Sequence, residues 1–303
     1  MMSMPRCSSH AIAYSGGTSK SWQTWLLFGL AYGIIFWPAF SWMVERFEAA
    51  DSFYSHGWLV PFASAWLIWQ RRACLKSSAM HASFWGLAVL IPSLALHVLA
   101  TWWQVHIVSG LAMVTALWGL VWTLCGWRTL WMLRVPLLFL LFMVPLPGVL
   151  LIEWSFRLKL LAAWLATHVL HAIGVPALQT GSSIQLPGLS VLVDDTCSGL
   201  RSLISLLAMA VLWVASLPQA TQRWRKLSII ALSVPIALCA NVVRIVLLVM
   251  LSVIYGSAAA EDFVHYGSGI VVFGLSLIGL VWLTRWLTGT GVRHATPRGA
   301  ANR

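Results

Sequence analysis

A series of long apolar stretches, separated by short polar connections, limits how this chain can fold. A helix needs about 20 apolar residues to cross the hydrocarbon core of a bilayer. Stretches that approach this length recur along the whole sequence. We predict about eight spans, at residues 24–44, 57–70, 83–100, 107–126, 135–151, 199–217, 227–252 and 266–288. The predicted fold class is therefore all-α, a polytopic bundle of transmembrane helices.

The composition argues for a membrane protein and against a soluble one. Hydrophobic residues make up 60% of the chain and charged residues only 9%, whereas soluble domains carry about 25% charged residues. Lipid must cover this apolar surface, which makes the bilayer a partner. The formal charge of +11 comes from basic residues scattered between the apolar stretches. Because no basic patch lies on a soluble face, we expect no nucleic-acid partner.

The basic residues fall in alternate connections, which predicts the orientation of the chain. Lysine and arginine mark the cytoplasmic connections of membrane proteins, and here they occur at 71–76, 128–134, 223–226 and 285–298. Acidic residues occur in the other connections, at 45–51, 194–195 and 261–262. We therefore expect a multi-pass protein of the cell inner membrane with both termini in the cytoplasm. The predicted parts are a tail at 1–22, a transmembrane domain at 23–289 and a second tail at 290–303.

The apolar stretch at about 153–174 does not fit this alternation. Its polar residues form a narrow stripe on a helix: Glu153, Arg157, His168 and His171. Two interpretations remain open, an interfacial helix on the outer surface or a span whose stripe lines the bundle interior. We favour the interfacial helix because it preserves the charge alternation. The next segment, about 175–196, is rich in glycine and proline and is typical of a small extracytoplasmic hairpin.

Cys197 lies just after Asp194 and Asp195, at the predicted outer end of the helix that begins near Gly199. In this topology no second cysteine falls on the same side, so an outward thiol is a liability unless it is used or shielded. A helix N-terminus lowers the pKa of a thiol and favours the reactive thiolate. Cys197 is therefore a candidate nucleophile, and a shielded core thiol is the alternative.

Arg244 lies in the outer part of an otherwise apolar predicted span. An arginine within the membrane is unfavourable unless it is hydrated or paired, which makes it a functional candidate. Asn241, three residues earlier, shares its helix face and can hydrogen-bond to it. The alternative is a snorkelling arginine that only reaches for the outer interface.

His265 opens the last predicted span, also on the outer side. Alone it would be an ordinary interfacial histidine. Together with Cys197 and Arg244, however, it gives three reactive residues at one depth on three consecutive helices. Consecutive antiparallel helices are usually neighbours, so the sequence predicts that the three converge. His265 could then serve as the proton carrier, Cys197 as the nucleophile and Arg244 as the oxyanion stabiliser.

Further residues could support such a site. Arg201 lies one turn after Cys197 on the same helix face, where it can hold the thiolate or a substrate carboxylate, or pair with Asp194 or Asp195. His56, on the first outer connection, is a rival for the proton-carrier role. Three glycines permit close helix approach nearby: Gly267, Gly269 and Gly274. No zinc, nucleotide or paired-glutamate protease motif occurs, so we expect no metal and no cofactor.

Several short segments resemble the exosortase/archaeosortase family of polytopic transpeptidases. Three of them carry the residues discussed above: Thr196-Cys197-Ser198-Gly199-Leu200-Arg201-Ser202-Leu203, Asn241-Val242-Val243-Arg244, and His265 before a glycine-bearing final helix. Two lie earlier: Tyr54-Ser55-His56-Gly57-Trp58-Leu59-Val60-Pro61 and Phe142-Met143-Val144-Pro145-Leu146-Pro147. The resemblance runs from about residue 25 to residue 290, and the order of the segments makes it specific.

This resemblance implies a catalytic cysteine, arginine and histidine on the outer membrane face, at Cys197, Arg244 and His265. It also implies the substrates, exported proteins with a C-terminal sorting signal: a Pro-Glu-Pro-like motif, a hydrophobic helix and a basic tail. They would be cleaved through a thioester and passed to an unknown cell-surface acceptor. Two other functions stay open. One is a hydrolase without transfer, and the other is a transporter or assembly protein for surface polysaccharide that binds anionic groups with Arg201 and Arg244.

Overall fold

The computed structural model describes residues 22–49, 52–76, 81–193, 198–218, 220–255 and 263–289. The chain forms two compact units, divided between Leu151 and Ile152, and each has its own helices. Within the described residues the chain is helical except for connecting loops and one small sheet. The prediction of a single transmembrane domain at 23–289 stays a prediction.

The first unit is built from helices alone in its described part. Its α-helices are α1 (Trp22–Ile35), α2 (Trp37–Glu48), α3 (Leu59–Gln70), α4 (Arg72–Lys76), α5 (Leu87–Trp102) and α6 (His106–Phe139). Short 3-10 helices lie at Ser55–Trp58, Phe84–Gly86 and Leu140–Met143. The helices α5 and α6 pack along each other, and α6 also contacts α2 and α3.

Two interruptions shape the helices of this unit. α1 and α2 meet at a bend of 67°, and Pro38 lies in the first turn of α2, where its missing N–H is tolerated. α6 is interrupted at Gly126, whose φ of 83° is left-handed. A Cβ at this position would lie 2.3 Å from the carbonyl oxygen of His81, so both backbone and space require glycine.

The second unit combines helices with the sheet. It contains most of α7 (Gly148–Ala172), then the strands β1 (Leu178–Thr180), β2 (Ser183–Leu186) and β3 (Leu189–Leu192), and finally α8 (Leu200–Ser216), α9 (Arg223–Tyr255) and α10 (Phe263–Thr288). The sheet is antiparallel in the order β1-β2-β3. Its two tight turns contain Gly181 and Gly188, both with positive φ, which is the backbone conformation such turns need.

Two apolar cores hold the second unit together. In the first, small residues of α7 such as Ala163 and Ala166 pack with Ile184 of β2, Val193 after β3, and Ile245 of α9. The second core joins α8, α9 and α10: Leu206, Ala210, Ile229, Ala237 and Leu280. The sheet is thereby fixed to the C-terminal half of α9, and the last three helices are fixed to one another.

The helices confirm an all-α membrane protein, but the predicted count of eight spans is not confirmed. Among the described residues, four helices are long and apolar enough to cross a membrane: Phe84–Trp102, His106–Met143, Arg223–Tyr255 and Gly267–Thr288. The bent pair α1 and α2 is a fifth if it forms one span. α3 has 12 residues and α8 has 17, which is short for a span of about 20.

The predicted span at 135–151 is wrong as a single helix. α6 ends at Phe139, a 3-10 turn follows at Leu140–Met143, and α7 begins only at Gly148. The segment between them contains Pro145 and Pro147, and a helix usually ends before a proline because the preceding residue is pushed out of the helical region. Arg128 and Arg134, which we expected in a connection, lie in the second arm of α6.

The segment from 153 to 196 differs from the prediction in detail. The hairpin expected at about 175–196 is a three-stranded sheet in its described part. The four polar residues of the predicted stripe on α7 are exposed: Glu153, Arg157, His168 and His171. Glu153 and Arg157 form an ion pair on that exposed face. An exposed stripe fits the interfacial interpretation better than a stripe that lines a bundle interior; the outer location of helix and sheet stays a prediction.

Candidate functional site

The start of α8 packs directly against α9. Ser198 and Gly199 are buried, and the backbone N–H of Leu200 donates to Ser198 Oγ at 3.4 Å. Gly199 has a φ of 79°, and a Cβ there would lie 2.8 Å from both Cγ and Nδ2 of Asn241. The amide side chain of Asn241 therefore occupies the space that a side chain at residue 199 would need.

Asn241 and Arg244 face the other two helices from successive turns of α9. Asn241 is only 3% exposed, whereas Arg244 is half-buried. The Nε of Arg244 donates to Ser268 Oγ of α10 at 3.4 Å. One short stretch of α9 thus contacts the first residues of α8 on one side and the N-terminal part of α10 on the other.

Gly269 lies under the face of the Arg244 guanidinium. A Cβ at Gly269 would lie 3.5 Å from Cζ, 3.5 Å from Nη2 and 3.7 Å from Nη1 of Arg244. Nearly equal distances to these three atoms place that point above the guanidinium plane rather than at its edge. Contact with the face leaves the in-plane N–H directions to other partners, because guanidinium donors point along the plane.

Of the predicted catalytic residues, Arg244 lies within this arrangement, whereas Cys197 and His265 are near it in sequence. His265 belongs to α10, three residues before Ser268, so it lies about one turn earlier on a similar side of the helix; its side chain is outside the described part. Cys197 and Asp195 lie outside the described residues. The structure thus brings together the start of α8, the middle of α9 and the first part of α10, and the direct convergence of Cys197, Arg244 and His265 stays a prediction.

Arg201 lies in the first turn of α8 and is half-buried. Its predicted partners, Asp194 and Asp195, are outside the described residues, so both roles proposed for Arg201 stay predictions. The described part of the chain contains no group of three or more His, Cys, Asp or Glu side chains that could hold a metal ion.

His56 lies in the first unit and stacks on Tyr54. Their ring centroids are 5.8 Å apart with an interplanar angle of 28°. Burial lowers the pKa of His56 to about 4, whereas an efficient proton carrier has a pKa near the working pH. The role of His56 as a rival to His265 stays a prediction, and its stack on Tyr54 is a structural contact within the first unit.

The structure adds two contacts that sequence reasoning missed. Ser268 binds Arg244, but nothing distinguishes it in sequence from the other serines of apolar helices. Tyr54 Oη accepts a hydrogen bond from the backbone N–H of Leu146 at 3.2 Å, which joins two of the segments that carry the family resemblance.

Of the three glycines expected at close helix contacts, only Gly269 contacts another helix at its Cβ position. A Cβ at Gly267 or Gly274 would meet nothing within 4 Å.

Comparison with known proteins gives one strong result. A family model described as transmembrane exosortase matches residues 42–282, which includes the whole arrangement around Asn241, Arg244 and Ser268. No curated protein and no solved structure matches the chain significantly.

Proposed function

Because the chain belongs to the transmembrane exosortase family, we propose that it is a cysteine transpeptidase acting on exported proteins. The substrates carry a C-terminal sorting signal with a Pro-Glu-Pro-like motif, a hydrophobic helix and a basic tail. Each is cleaved near the motif and passed to a cell-surface acceptor. The protein is a multi-pass membrane protein, and we place it in the inner membrane with the site on the periplasmic face.

The observation that carries this proposal is the contact of Arg244 with α10 beside the buried start of α8. A guanidinium inside an apolar helix is unfavourable unless it is hydrated or paired. Here Ser268 and Gly269 of α10 contact it. Cys197 lies two residues before Gly199, which contacts the same stretch of α9 at Asn241. An arginine at this junction is suited to stabilise the oxyanion that attack by Cys197 would form.

The proposed reaction is acyl transfer through a thioester. The Cys197 thiolate attacks the scissile carbonyl carbon, and Arg244 stabilises the negative oxygen of the tetrahedral intermediate. As the intermediate collapses, the carbon–nitrogen bond breaks, and His265 protonates the leaving amine. An acceptor nucleophile then attacks the thioester, gives its proton to His265 and releases the thiolate. Asn241 supports the start of α8, and Arg201 and Asp195 complete the polar surroundings.

The test is processing of a tagged sorting-signal substrate in cells. Cys197→Ser should lower processing at least 100-fold, because the serine hydroxyl is a far weaker nucleophile than the thiolate. Cys239→Ser is the matched control, since Cys239 is a free, exposed cysteine of α9, and it should stay within twofold of wild type. Normal processing by Cys197→Ser would exclude Cys197 as the nucleophile.

Two alternative functions predict different effects of the same substitutions. A transporter or assembly protein for surface polysaccharide would lose function in Arg244→Ala but not in Cys197→Ser. A hydrolase without transfer would depend on both residues, but its product would carry a free carboxylate. The mass of the released protein therefore separates hydrolysis from transfer.

A further inference from the structure

The edge of β3 that faces away from β2 has unpaired backbone groups in a regular pattern. In the sheet order β1-β2-β3, β3 is a terminal strand. Val193 N donates to Ser182 O at 3.0 Å, which identifies 182/193 as a hydrogen-bonded pair in the same register as Ser183↔Leu192. Hydrogen-bonded and non-hydrogen-bonded pairs alternate in antiparallel ladders. The backbone N–H and C=O groups of Ser190 and Leu192 therefore point away from β2.

This edge is open within the part of the chain that the structure describes. Ser190 is exposed and Leu192 is 64% exposed. The outward backbone groups of both residues make no hydrogen bond to any described residue. The opposite edge differs, because the side chain of Gln179 in β1 donates to the carbonyl oxygen of Leu160 in α7 at 3.2 Å. β3 is thus the edge of the sheet that lies away from this contact with α7.

The same strand leads toward the residues around Arg244. Val193, which directly follows β3, belongs to one buried core with Val242 and Ile245 of α9, and these residues flank Arg244 in sequence. Cys197 follows Leu192 by five residues, so its Cα lies within about 18 Å along the chain. A peptide that paired with β3 would therefore lie close to the proposed nucleophile.

We propose that β3 binds the substrate by strand addition: the extended segment that precedes the substrate's membrane helix pairs with Ser190 and Leu192 as a fourth strand. This inference rests on the proposed function. Backbone pairing with an exposed sheet edge is a general mode of peptide recognition. It requires a segment that is extended and that offers its own N–H and C=O groups to one side.

A Pro-x-Pro segment suits this edge. Alternate residues of a strand direct their backbone groups to opposite sides, so the two prolines direct their ring nitrogens, which lack a hydrogen, away from β3. The central residue then directs both its N–H and its C=O toward the enzyme. Proline is tolerated in edge strands where its nitrogen faces away from the ladder, and residues before proline favour extended backbone.

Photo-crosslinking tests the contact directly. The photo-crosslinking residue p-benzoylphenylalanine replaces Leu192 in β3 or, as the matched control, Leu178 in β1; both leucines are 64% exposed. The full-length enzyme carries Cys197→Ala so that a tagged sorting-signal substrate is retained. We expect at least fivefold more substrate crosslink from position 192 than from 178. Equal yields, absence of a crosslink at 192, or a crosslink only between two enzyme copies would overturn the proposal.

A second experiment tests the backbone group itself. Ser190→Pro removes the outward N–H, whereas Ser190→Ala changes the side chain and keeps it. We expect Ser190→Pro to raise KM at least tenfold while the rate of Cys197 alkylation by iodoacetamide stays unchanged, and Ser190→Ala to resemble wild type. Unchanged alkylation also shows that the variant is folded. If Ser190→Pro processes substrate normally while Cys197→Ser does not, strand addition is wrong and the proposed transpeptidase function stands.

Discussion

Gly199 has two separate reasons to lack a side chain. Its φ of 79° is left-handed, and a Cβ would lie 2.8 Å from the Asn241 side chain. Gly188 has the same φ of 79° but nothing within 4 Å of its Cβ position. Gly188→Ala should therefore destabilise by about 1 kcal/mol through backbone strain alone, and Gly199→Ala by about 3 kcal/mol. Thermal unfolding in detergent measures both, and equal shifts would contradict the proposed clash with Asn241.

The face contact of Gly269 with Arg244 predicts a size limit at residue 269. A Cβ there is still at ordinary contact distance, 3.5 Å from Cζ of Arg244, so Gly269→Ala should be tolerated. Gly269→Leu must displace the guanidinium and should lower substrate processing about tenfold to 100-fold. Gly274→Leu is the control, since its Cβ position has nothing within 4 Å. A similar loss in both leucine variants would point to a general effect on α10.

His56 should make stability depend on pH. Burial lowers its pKa from 6.5 to about 4 in the folded protein, so between these values the unfolded chain binds a proton that the folded chain does not. Stability should therefore fall as pH drops, by up to about 2 kcal/mol from pH 7 to pH 5. His56→Gln should flatten the pH dependence of the unfolding temperature, whereas the exposed His168→Gln should not. An unchanged slope in His56→Gln would exclude this source.

Single functional residues were predictable where a polar or charged side chain lies in an otherwise apolar helix. Arg244 and Asn241 stand out because charged and amide side chains are rare in apolar spans, and the structure places both at the junction of α8, α9 and α10. Ser268 could not be predicted, because serines in membrane helices commonly bond to their own backbone. Ser252 and Ser276 do so here, to Leu248 O and Val272 O, and sequence alone does not separate Ser268 from them.

At the scale of elements, the bend between α1 and α2 depends on a buried histidine. His97 of α5 is buried; its Nε2 lies 2.9 Å from the carbonyl oxygen of Ile35 at the bend, and its Nδ1 lies 2.8 Å from Ser109 Oγ of α6. The carbonyl must accept, so Nε2 carries the hydrogen and Nδ1 accepts from the serine hydroxyl. One side chain thus joins three elements of the first unit.

Removing this side chain should loosen the bend. His97→Phe removes the part-buried bond to the Ile35 carbonyl and leaves the buried Ser109 hydroxyl without this partner, which should cost about 1–3 kcal/mol of stability. Ser41→Ala removes only an exposed local hydrogen bond to Pro38 O and should change stability by less than about 0.5 kcal/mol. Both are measured by thermal unfolding in detergent. A His97→Phe variant as stable as Ser41→Ala would show that the bend does not depend on His97.

Element boundaries were harder to predict than element types. Apolar length indicated most helices correctly, and the span predicted at 107–126 ends where Gly126 leaves the helical conformation. Apolar length did not indicate that a second helical arm follows at once and runs through Arg128 and Arg134 to Phe139. Conversely, 135–151 appeared as one apolar stretch although two prolines divide it. Hydrophobicity indicates which segments can lie in lipid, whereas the backbone conformation of glycine and proline determines where a helix turns or stops.

At the scale of the whole molecule, the proposed orientation predicts which loops face the periplasm. An epitope inserted at the Gly181 turn between β1 and β2 should be accessible to antibody in intact spheroplasts. The same epitope inserted at Thr221, in the connection between α8 and α9, should be accessible only after the membrane is permeabilised, because basic residues follow it. The reverse pattern would invert the second unit and exclude a periplasmic site.

In the proposed orientation, the length of α9 determines the height of the site relative to the bilayer. From Lys226 to Arg244 the helix rises about 27 Å, close to the thickness of the hydrocarbon, and it continues about 16 Å further to Tyr255. The sheet packs on that final part through Ile245 and Val249, so in the proposed orientation α9 sets the height of the sheet above the bilayer midplane. A substrate anchored by its own helix would then need a spacer of set length to bring its motif to β3, so lengthening that spacer should lower processing rather than shift the cut away from the motif.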